Sequence, residues 1–378
     1  ARTFDGAELA SIEVPREEWR RALGRCDIEL VAALHRAAEN IMRVHTACMP
    51  APVEIEVEPG VRIVRRPVGL DRVGIYAPGG RAAYASSLLM GVIPAWVAGV
   101  GEVVVCSPAS RTGLPSALVL AAAEVAGASR VFAVGGAGAI AAMALGTESI
   151  PRVDCIVGPG NAYVTEAKQQ VARDVRIESP AGPTEILVLL DDTADMRAVA
   201  AELLAQAEHG IDSAAVAVAI GRDAAMALNA ELERELQSLE HSDTIRKALG
   251  ACGALLIADS IEEALAFAEG YAPEHLLIAT RNAAAAADQV RNAACTFVGC
   301  SSSVTFGDYM TGANHVLPTA GYARTHSGLG TDAFVRWTTT QYVDPTAART
   351  LGPAVSAFAG AEGLTAHARA ARYAGLLP

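Results

Sequence analysis

Between Arg72 and Ala279 the chain repeats one rhythm: a short apolar run, a longer alanine-rich stretch, then another apolar run. Val73–Tyr76, Glu102–Cys106, Arg130–Val134 and Cys155–Val157 read as strands, with helices expected at about 84–97, 113–126, 139–144 and 161–173. The rhythm resumes after Thr184, with strands at Ile186–Leu190, Ala214–Ala219, Ala254–Ala258 and Leu276–Ala279 and helices at 194–208, 222–238, 243–250 and 260–269. Strands that are apolar along their whole length are covered on both faces, and helical crossovers between them make a sheet parallel. The expected fold class is therefore α/β: two Rossmann-like parallel-sheet domains in tandem, dividing near Ala181-Gly182-Pro183, with helical N-terminal and C-terminal extensions.

The flanking segments have other periods. Pro15-Arg16-Glu17-Glu18-Trp19 reads as a helix start, with proline early and acids in the first turn, and a helical pattern runs from about Asp27 to Thr46. Residues 52–66 alternate (Val53, Ile55, Val57, then Val61, Ile63, Val64), the period of paired strands. From about Gly299 to Asp332 the chain is polar and glycine-rich, and long loops inside folded domains are usually functional. Residues 345–376 are helical again.

Composition removes several function classes. A net charge of −12 repels phosphate backbones, and only 5% aromatic residues leaves little stacking surface, so nucleic acid is not an expected partner. The longest apolar run, Ser86–Val105, is broken by Gly91, Pro94, Gly99 and Glu102, which suits a buried helix and strand rather than a membrane span. The seven cysteines are odd in number and form no CxxC pair, so neither a disulfide framework nor a thiolate zinc knot is expected, and the expected location is the reducing cytoplasm.

Polar residues collect where strands and helices end. Gly136-Ala137-Gly138-Ala139-Ile140-Ala141 has the G-x-G-x-x-A form between a strand and a helix, with Asp154 at about the distance of a ribose-binding acid. It reads either as a phosphate-binding turn or as a tight βα turn. Gly158-Pro159-Gly160-Asn161 and Tyr76-Ala77-Pro78-Gly79-Gly80 stand at other strand ends, where open α/β sheets form ligand crevices, although a structural turn explains each alone. Gln206 and His209 share a helix face, and His209 precedes Gly210, so it is either a metal ligand or a helix-ending imidazole. Glu274-His275 offers two proton acceptors of different pKa, or is a surface turn carrying two polar residues. Asp308 is a hard oxygen donor in the polar loop and Glu362 and His367 flank Gly363 near a helix start, although a solvated loop or helix end explains each of these alone. Taken together, these residues point to a metal of mixed nitrogen and oxygen ligation plus a nucleotide.

In the same order and spacing, these segments resemble the histidinol dehydrogenase family. The matching stretches are Val73-Gly74-Ile75-Tyr76-Ala77-Pro78-Gly79-Gly80, Gly146-Thr147-Glu148, Gly158-Pro159-Gly160-Asn161-Ala162, Thr165-Glu166-Ala167-Lys168, Ala181-Gly182-Pro183-Thr184-Glu185, Gln206-Ala207-Glu208-His209-Gly210, Ala272-Pro273-Glu274-His275-Leu276, Gly307-Asp308-Tyr309, Asn314-His315-Val316-Leu317-Pro318-Thr319 and Glu362-Gly363-Leu364-Thr365-Ala366-His367. The resemblance implies oxidation of L-histidinol to L-histidine through the aldehyde with two NAD. It implies one zinc per subunit on Gln206, His209, Asp308 and His367, with His275 and Glu274 as the catalytic pair. Thr184, Gln206, His209, His275, Asp308, His315, Glu362 and His367 would contact substrate, and Tyr76, Gly138 and Asn161 would face the cofactor. It further implies a homodimer in which the tail completes the partner's site. The implied domains are residues 1–75 with 184–325, residues 76–183 on the cofactor side, and a helical dimerisation tail, 326–378.

The chain also departs from the family's pattern. Gly138 stands where the family usually has glutamine, Thr184 where serine is usual, and Cys300-Ser301-Ser302-Ser303 and Phe334–Gln341 are unusual; the family also carries a further segment before Phe4-Asp5. Two other readings follow. One is a relative oxidising a sulfonated diol, sulfopropanediol, which would want an arginine clamp from Arg81, Arg324 or Arg336. The other is a zinc-binding paralogue without redox activity. Pro273-Glu274-His275 and Glu362, a carboxylate suited to an ammonium group, favour histidinol.

Overall fold

Two five-stranded parallel sheets carry the alternation read between Arg72 and Ala279. The computed structural model describes residues 6, 8–9, 11–79, 83–179, 182–239 and 242–376. Phe4, Asp5, Gly80, Arg81 and Ala181, named above, lie outside the described residues. In chain order, β1 (Val53–Glu58) and β2 (Val61–Gly69) form an antiparallel hairpin. The first parallel sheet follows: β3 (Arg72–Tyr76), β4 (Glu102–Ser107), β5 (Arg130–Ala133), β6 (Cys155–Val157) and β7 (Arg176–Ile177). The second contains β8 (Glu185–Leu190), β9 (Ala214–Ile220), β10 (Gly253–Ala258), β11 (His275–Ala279) and β12 (Cys295–Val298), and β13 (Val335–Val343) returns to β2.

Both sheets have one strand order, β5-β4-β3-β6-β7 and β10-β9-β8-β11-β12, third-second-first-fourth-fifth in each case. The order reverses between β3 and β6, and again between β8 and β11. Crossovers leave in opposite directions at such a point and open a crevice. The central strands are buried, as their unbroken apolar sequences require: every residue of β8 is buried, and Val103, Val104 and Val105 of β4 are fully so. The edge strands β7 and β12 are not legible in the sequence. β7 has two residues and β12 four, too short for a periodic signal.

The chain divides into two units, residues 1–48 with 70–334, and residues 49–69 with 335–378. The larger unit holds both parallel sheets. Its N-terminal helices, Arg16–Leu23 and Ile28–Ala47, pack on the helices of the first sheet. Trp19 is buried there and donates to Val14 O, Val14 N bonds Val131 O of β5, and Glu13 pairs with Arg130. The expected grouping of residues 1–75 with 184–325 differs from this packing, because an apolar helix face goes to a complementary surface, here the first sheet's Ala117–Ala126 helix.

The smaller unit is the sheet β1-β2-β13 with the helices Pro345–Ala361 and Thr365–Ala374. The segment 326–378, expected to be helical, therefore contains a nine-residue strand. Its β-branched and aromatic residues favour a pleated surface, and arginines of β2 lie over its rings, Arg62 at 4.0 Å from the Tyr342 centroid and Arg65 at 5.0 Å from that of Trp337. Among the described residues no helix is long and apolar enough to cross a membrane.

Candidate active site

The carboxyl ends of the first sheet's strands and the amino ends of the second sheet's line one cavity of about 120 Å³. Gly160, Lys168 and Glu178 stand on the first wall, and Thr184, Glu274 and His315 on the second. The first wall forms where β3 and β6 end side by side. A Cβ on Gly158, at φ +122°, would lie 2.0 Å from Tyr76 O, so only glycine lets the two strand ends meet. Asn161 caps the helix Ala162–Val171, its Oδ1 accepting from Tyr163 N and Val164 N at 3.1 and 3.2 Å. Tyr76 OH accepts from Gly136 N at 3.0 Å, which ties β3 to the next glycine turn.

That turn does not build the dinucleotide fingerprint. Gly136-Ala137-Gly138 opens the helix after β5, an edge strand away from the crossover point. Asp154 precedes β6 and accepts from Arg72 N at 3.0 Å, at the opposite end of the sheet from the glycines. Spacing along the chain suggests a ribose acid; the sheet direction gives Asp154 a backbone to hold instead. Gly138 is exposed in the first turn of its helix, with open space where a side chain would begin.

The second wall begins with Thr184 and Glu185 at the start of β8, beside Glu274 and His275 at the start of β11. Glu274 Oε2 accepts from Thr184 Oγ1 at 2.6 Å and from Glu185 N at 2.8 Å, and Gln206 Nε2 donates to Thr184 Oγ1 at 3.0 Å. Burial pushes the Glu274 carboxyl up to about 8, against the two hydrogen bonds that lower it. His275 Nδ1 lies 3.1 Å from Glu185 O; a carbonyl only accepts, so Nδ1 carries the proton and Nε2 the lone pair. Nε2 is buried with no partner among the described residues, and burial lowers the imidazole's pKa, so the ring is a neutral base.

Glu185 has no distinguishing mark of its own in the sequence, although Thr184-Glu185 lies in a matched stretch. It is a second buried carboxylate, with Oε2 accepting from Tyr271 OH at 3.2 Å and Oε1 from Ala320 N at 3.0 Å. Its main chain orients both catalytic candidates, the N–H to Glu274 and the carbonyl to His275. His315 is fixed at both nitrogens, Nδ1 to Asp308 O and Nε2 to Ser87 Oγ, each at 2.8 Å, and burial lowers its pKa to about 4.

Gln206 is buried near the end of the helix Met196–Glu208, and His209 closes that helix, solvent-exposed but close enough to His275 for the two imidazoles to interact. Asp308 lies in the helix Val304–Tyr309, where desolvation raises its pKa to about 6, opposed by His275 and assisted by Glu274 and Glu202. His209, His275, Asp308 and His315 are close enough to affect one another's ionisation. Among the described residues no three His, Cys, Asp or Glu side chains converge as a metal site. The larger unit supplies two such groups, His209 and Asp308, plus the Gln206 amide. Glu362 and His367 belong to the smaller unit and are exposed, Glu362 ending one helix and His367 in the first turn of the next, with Gly363 at φ +76° between the helices. Of the arginines considered for a sulfonate, Arg324 donates to the carbonyls of Glu269 and Gly270, and Arg336 stands on β13.

A family model described as histidinol dehydrogenase matches residues 1–374. A histidinol dehydrogenase from Methanosarcina mazei is 44% identical over 370 residues, covering 98% of this chain and 85% of that one. One from Methanothermobacter thermautotrophicus is 43% identical over 369 residues, covering 98% and 87%. A crystal structure of histidinol dehydrogenase from Elizabethkingia anophelis superposes with a TM-score of 0.95 at 38% identity, covering 99% of this chain and 86% of that one. An acetylating aldehyde dehydrogenase from Geobacillus thermoglucosidasius, at 13% identity and a TM-score of 0.55, covering 87% of each chain, shares the fold alone. Agreement of this extent, in sequence from end to end and in backbone, shows that the chain belongs to the histidinol dehydrogenase family.

Proposed function

We propose that this chain oxidises L-histidinol to L-histidine through L-histidinal, in histidine biosynthesis in the cytoplasm. The observation that carries the reading is the buried pair Glu274 and His275 at the start of β11, one proton-accepting nitrogen left unpartnered among the described residues. NAD, when bound along the first wall near Tyr76, Gly138 and Asn161, supplies the acceptor for a hydride in each of two turns. His275 Nε2 takes the hydroxyl proton as the first hydride leaves the carbinol carbon, and Nδ1–H stays on Glu185 O, which fixes the tautomer. Glu274, once ionised, takes a proton from water adding to the aldehyde while His275 returns its Nε2 proton to the carbonyl oxygen; His275 Nε2 then takes a hydroxyl proton from the resulting hydrate as the second hydride leaves. Thr184 and Gln206 hold the Glu274 carboxylate in place through their hydrogen-bond relay.

The residues present fit a zinc ion. Gln206 spends its Nε2 on Thr184, leaving its amide oxygen as a donor. Asp308 is a desolvated carboxylate with no cationic side chain paired to it among the described residues, and His209 adds an imidazole. His367 would complete the set from a partner chain. Zinc in that position would grip the imidazole and amine of the substrate and hold the reacting carbon still. The shared site is part of a proposed homodimer. Its support is the outer strand β1, on which Val53, Ile55 and Val57 stand exposed in a row, and Phe358, 71% exposed on the tail.

Zinc-loaded protein given L-histidinol and NAD is expected to form two NADH per substrate, lost on chelation. No NADH from folded, zinc-loaded protein would overturn the assignment, and sulfopropanediol assayed in parallel would identify the other substrate class. The shared site has its own test. Inactive His275→Ala and His367→Ala proteins, mixed and allowed to exchange subunits, should regain about a quarter of the activity, because a mixed dimer keeps one intact site. No recovery would rule out a site shared between chains.

A further inference from the structure

At the carboxyl end of the first sheet, Lys168 and Glu178 form a buried ion pair that the chemistry above does not use. Lys168 Nζ lies 2.5 Å from Glu178 Oε1 and 2.5 Å from Gly158 O, and Gly158 N donates to the same Oε1 at 3.0 Å. The two side chains are only 9% and 6% exposed. A buried pair is a weak argument for stability, because desolvation offsets much of the attraction. What this pair does is grip Gly158 by both its N–H and its C=O, at the turn where β3 and β6 meet.

The other oxygen, Glu178 Oε2, is buried with no partner among the described residues. A desolvated carboxylate oxygen without a donor is costly, and the pair lines the cavity that also contains Thr184, Glu274 and His315. The substrate's reacting carbon has to lie against Glu274 and His275 on the second wall. A hydride acceptor across from it lies against the first wall, where Glu178 stands. The nicotinamide–ribose half of the cofactor carries hydrogen-bond donors, the carboxamide N–H and the ribose hydroxyls. We propose that Glu178 Oε2 accepts a hydrogen bond from the nicotinamide–ribose half of the cofactor, with Lys168 as the positioning residue that aims the carboxylate. This rests on the NAD reading above and assigns it a contact.

Glu178→Gln tests it. The amide oxygen still receives Lys168 and Gly158 N, while the acceptor at Oε2 becomes an NH₂ donor facing the ligand's donor. NADH binding should weaken about tenfold to a hundredfold, the range of a lost charge-assisted hydrogen bond. ADP binding and the KM for L-histidinol should not change. ADP-ribose weakened in step with NADH identifies a ribose hydroxyl as the donor; ADP-ribose spared identifies the carboxamide. NADH bound as tightly as by wild type, ADP weakened equally, or a raised histidinol KM with NADH unaffected overturns the assignment. If Glu178→Gln does not fold, Glu178→Asp is read with the same ligands, since it keeps the charge toward Lys168 and withdraws the acceptor by one methylene. Wild-type protein that binds no NADH overturns the cofactor reading together with this contact; wild-type binding with an unaffected variant overturns the contact alone.

Discussion

Replacing Glu274 by glutamine is expected to stabilise the protein while disabling it. The carboxyl is 7% exposed, and burial moves its pKa from the usual 4.5 to about 8. Below pH 4.5 the group is protonated in both folded and unfolded chains and contributes little difference. As pH rises the unfolded chain ionises first, so the folded state loses stability until pH passes about 8, where the loss levels off. At about 1.36 kcal/mol per pKa unit the penalty is about 3 kcal/mol at pH 7 and about 5 kcal/mol above pH 8. Glutamine carries no charge to desolvate, and its carbonyl still accepts from Thr184 Oγ1 and Glu185 N. With an unfolding entropy of about 0.8 kcal/mol/K for a chain of this length, Tm of the metal-free variant should exceed wild type by about 4 °C at pH 7 and about 6 °C at pH 9. The advantage should vanish near pH 4.5. Thermal scans of both proteins at half-unit steps from about pH 4.5 to 9 decide the point. A Tm difference that does not grow with pH, or a less stable variant at the alkaline end, would refute the claim that Glu274 is a desolvated acid. Oxidation of the aldehyde by the same variant should fall by about 10²- to 10⁴-fold, the usual contribution of a positioned base.

Three further outcomes follow from the same geometry. The rate of aldehyde oxidation should rise through about pH 8 as Glu274 loses its proton, while His275, its pKa lowered by burial, stays neutral across that range; a rate falling above about pH 7 would contradict this. Gly158→Ala puts a Cβ 2.0 Å from Tyr76 O at φ +122°. It should cost about 3 kcal/mol or more and abolish NADH binding, read by Tm and by NADH fluorescence. Gly138→Gln enters open space on a helix. It should gain about 0.5–1 kcal/mol from backbone restriction and tighten NADH in a titration; unchanged or weaker binding would mean that position 138 does not face the cofactor.

The sequence by itself determined the two parallel sheets, because apolar runs such as Ile186–Leu190 and alanine-rich stretches such as 194–208 have periods that follow from strand and helix geometry. It also marked Glu274 and His275 as a polar pair against an apolar strand, whereas Thr184 and His315 were legible as site residues only through the resemblance to the family. Local periodicity says nothing about which strand is central or which end of a strand faces a ligand. Only the tertiary structure decided that the glycines at 136 and 138 follow an edge strand, that Asp154 serves Arg72 N, and that the second sheet contributes its amino ends to the cavity. The same holds for β13, whose pairing with β2 and whose rings under Arg62 and Arg65 join segments far apart in the chain. Buried ionisation was decided there as well: Glu274 is an ordinary carboxylate in sequence, and its pKa belongs to the desolvation and hydrogen bonds that the fold assembles around it.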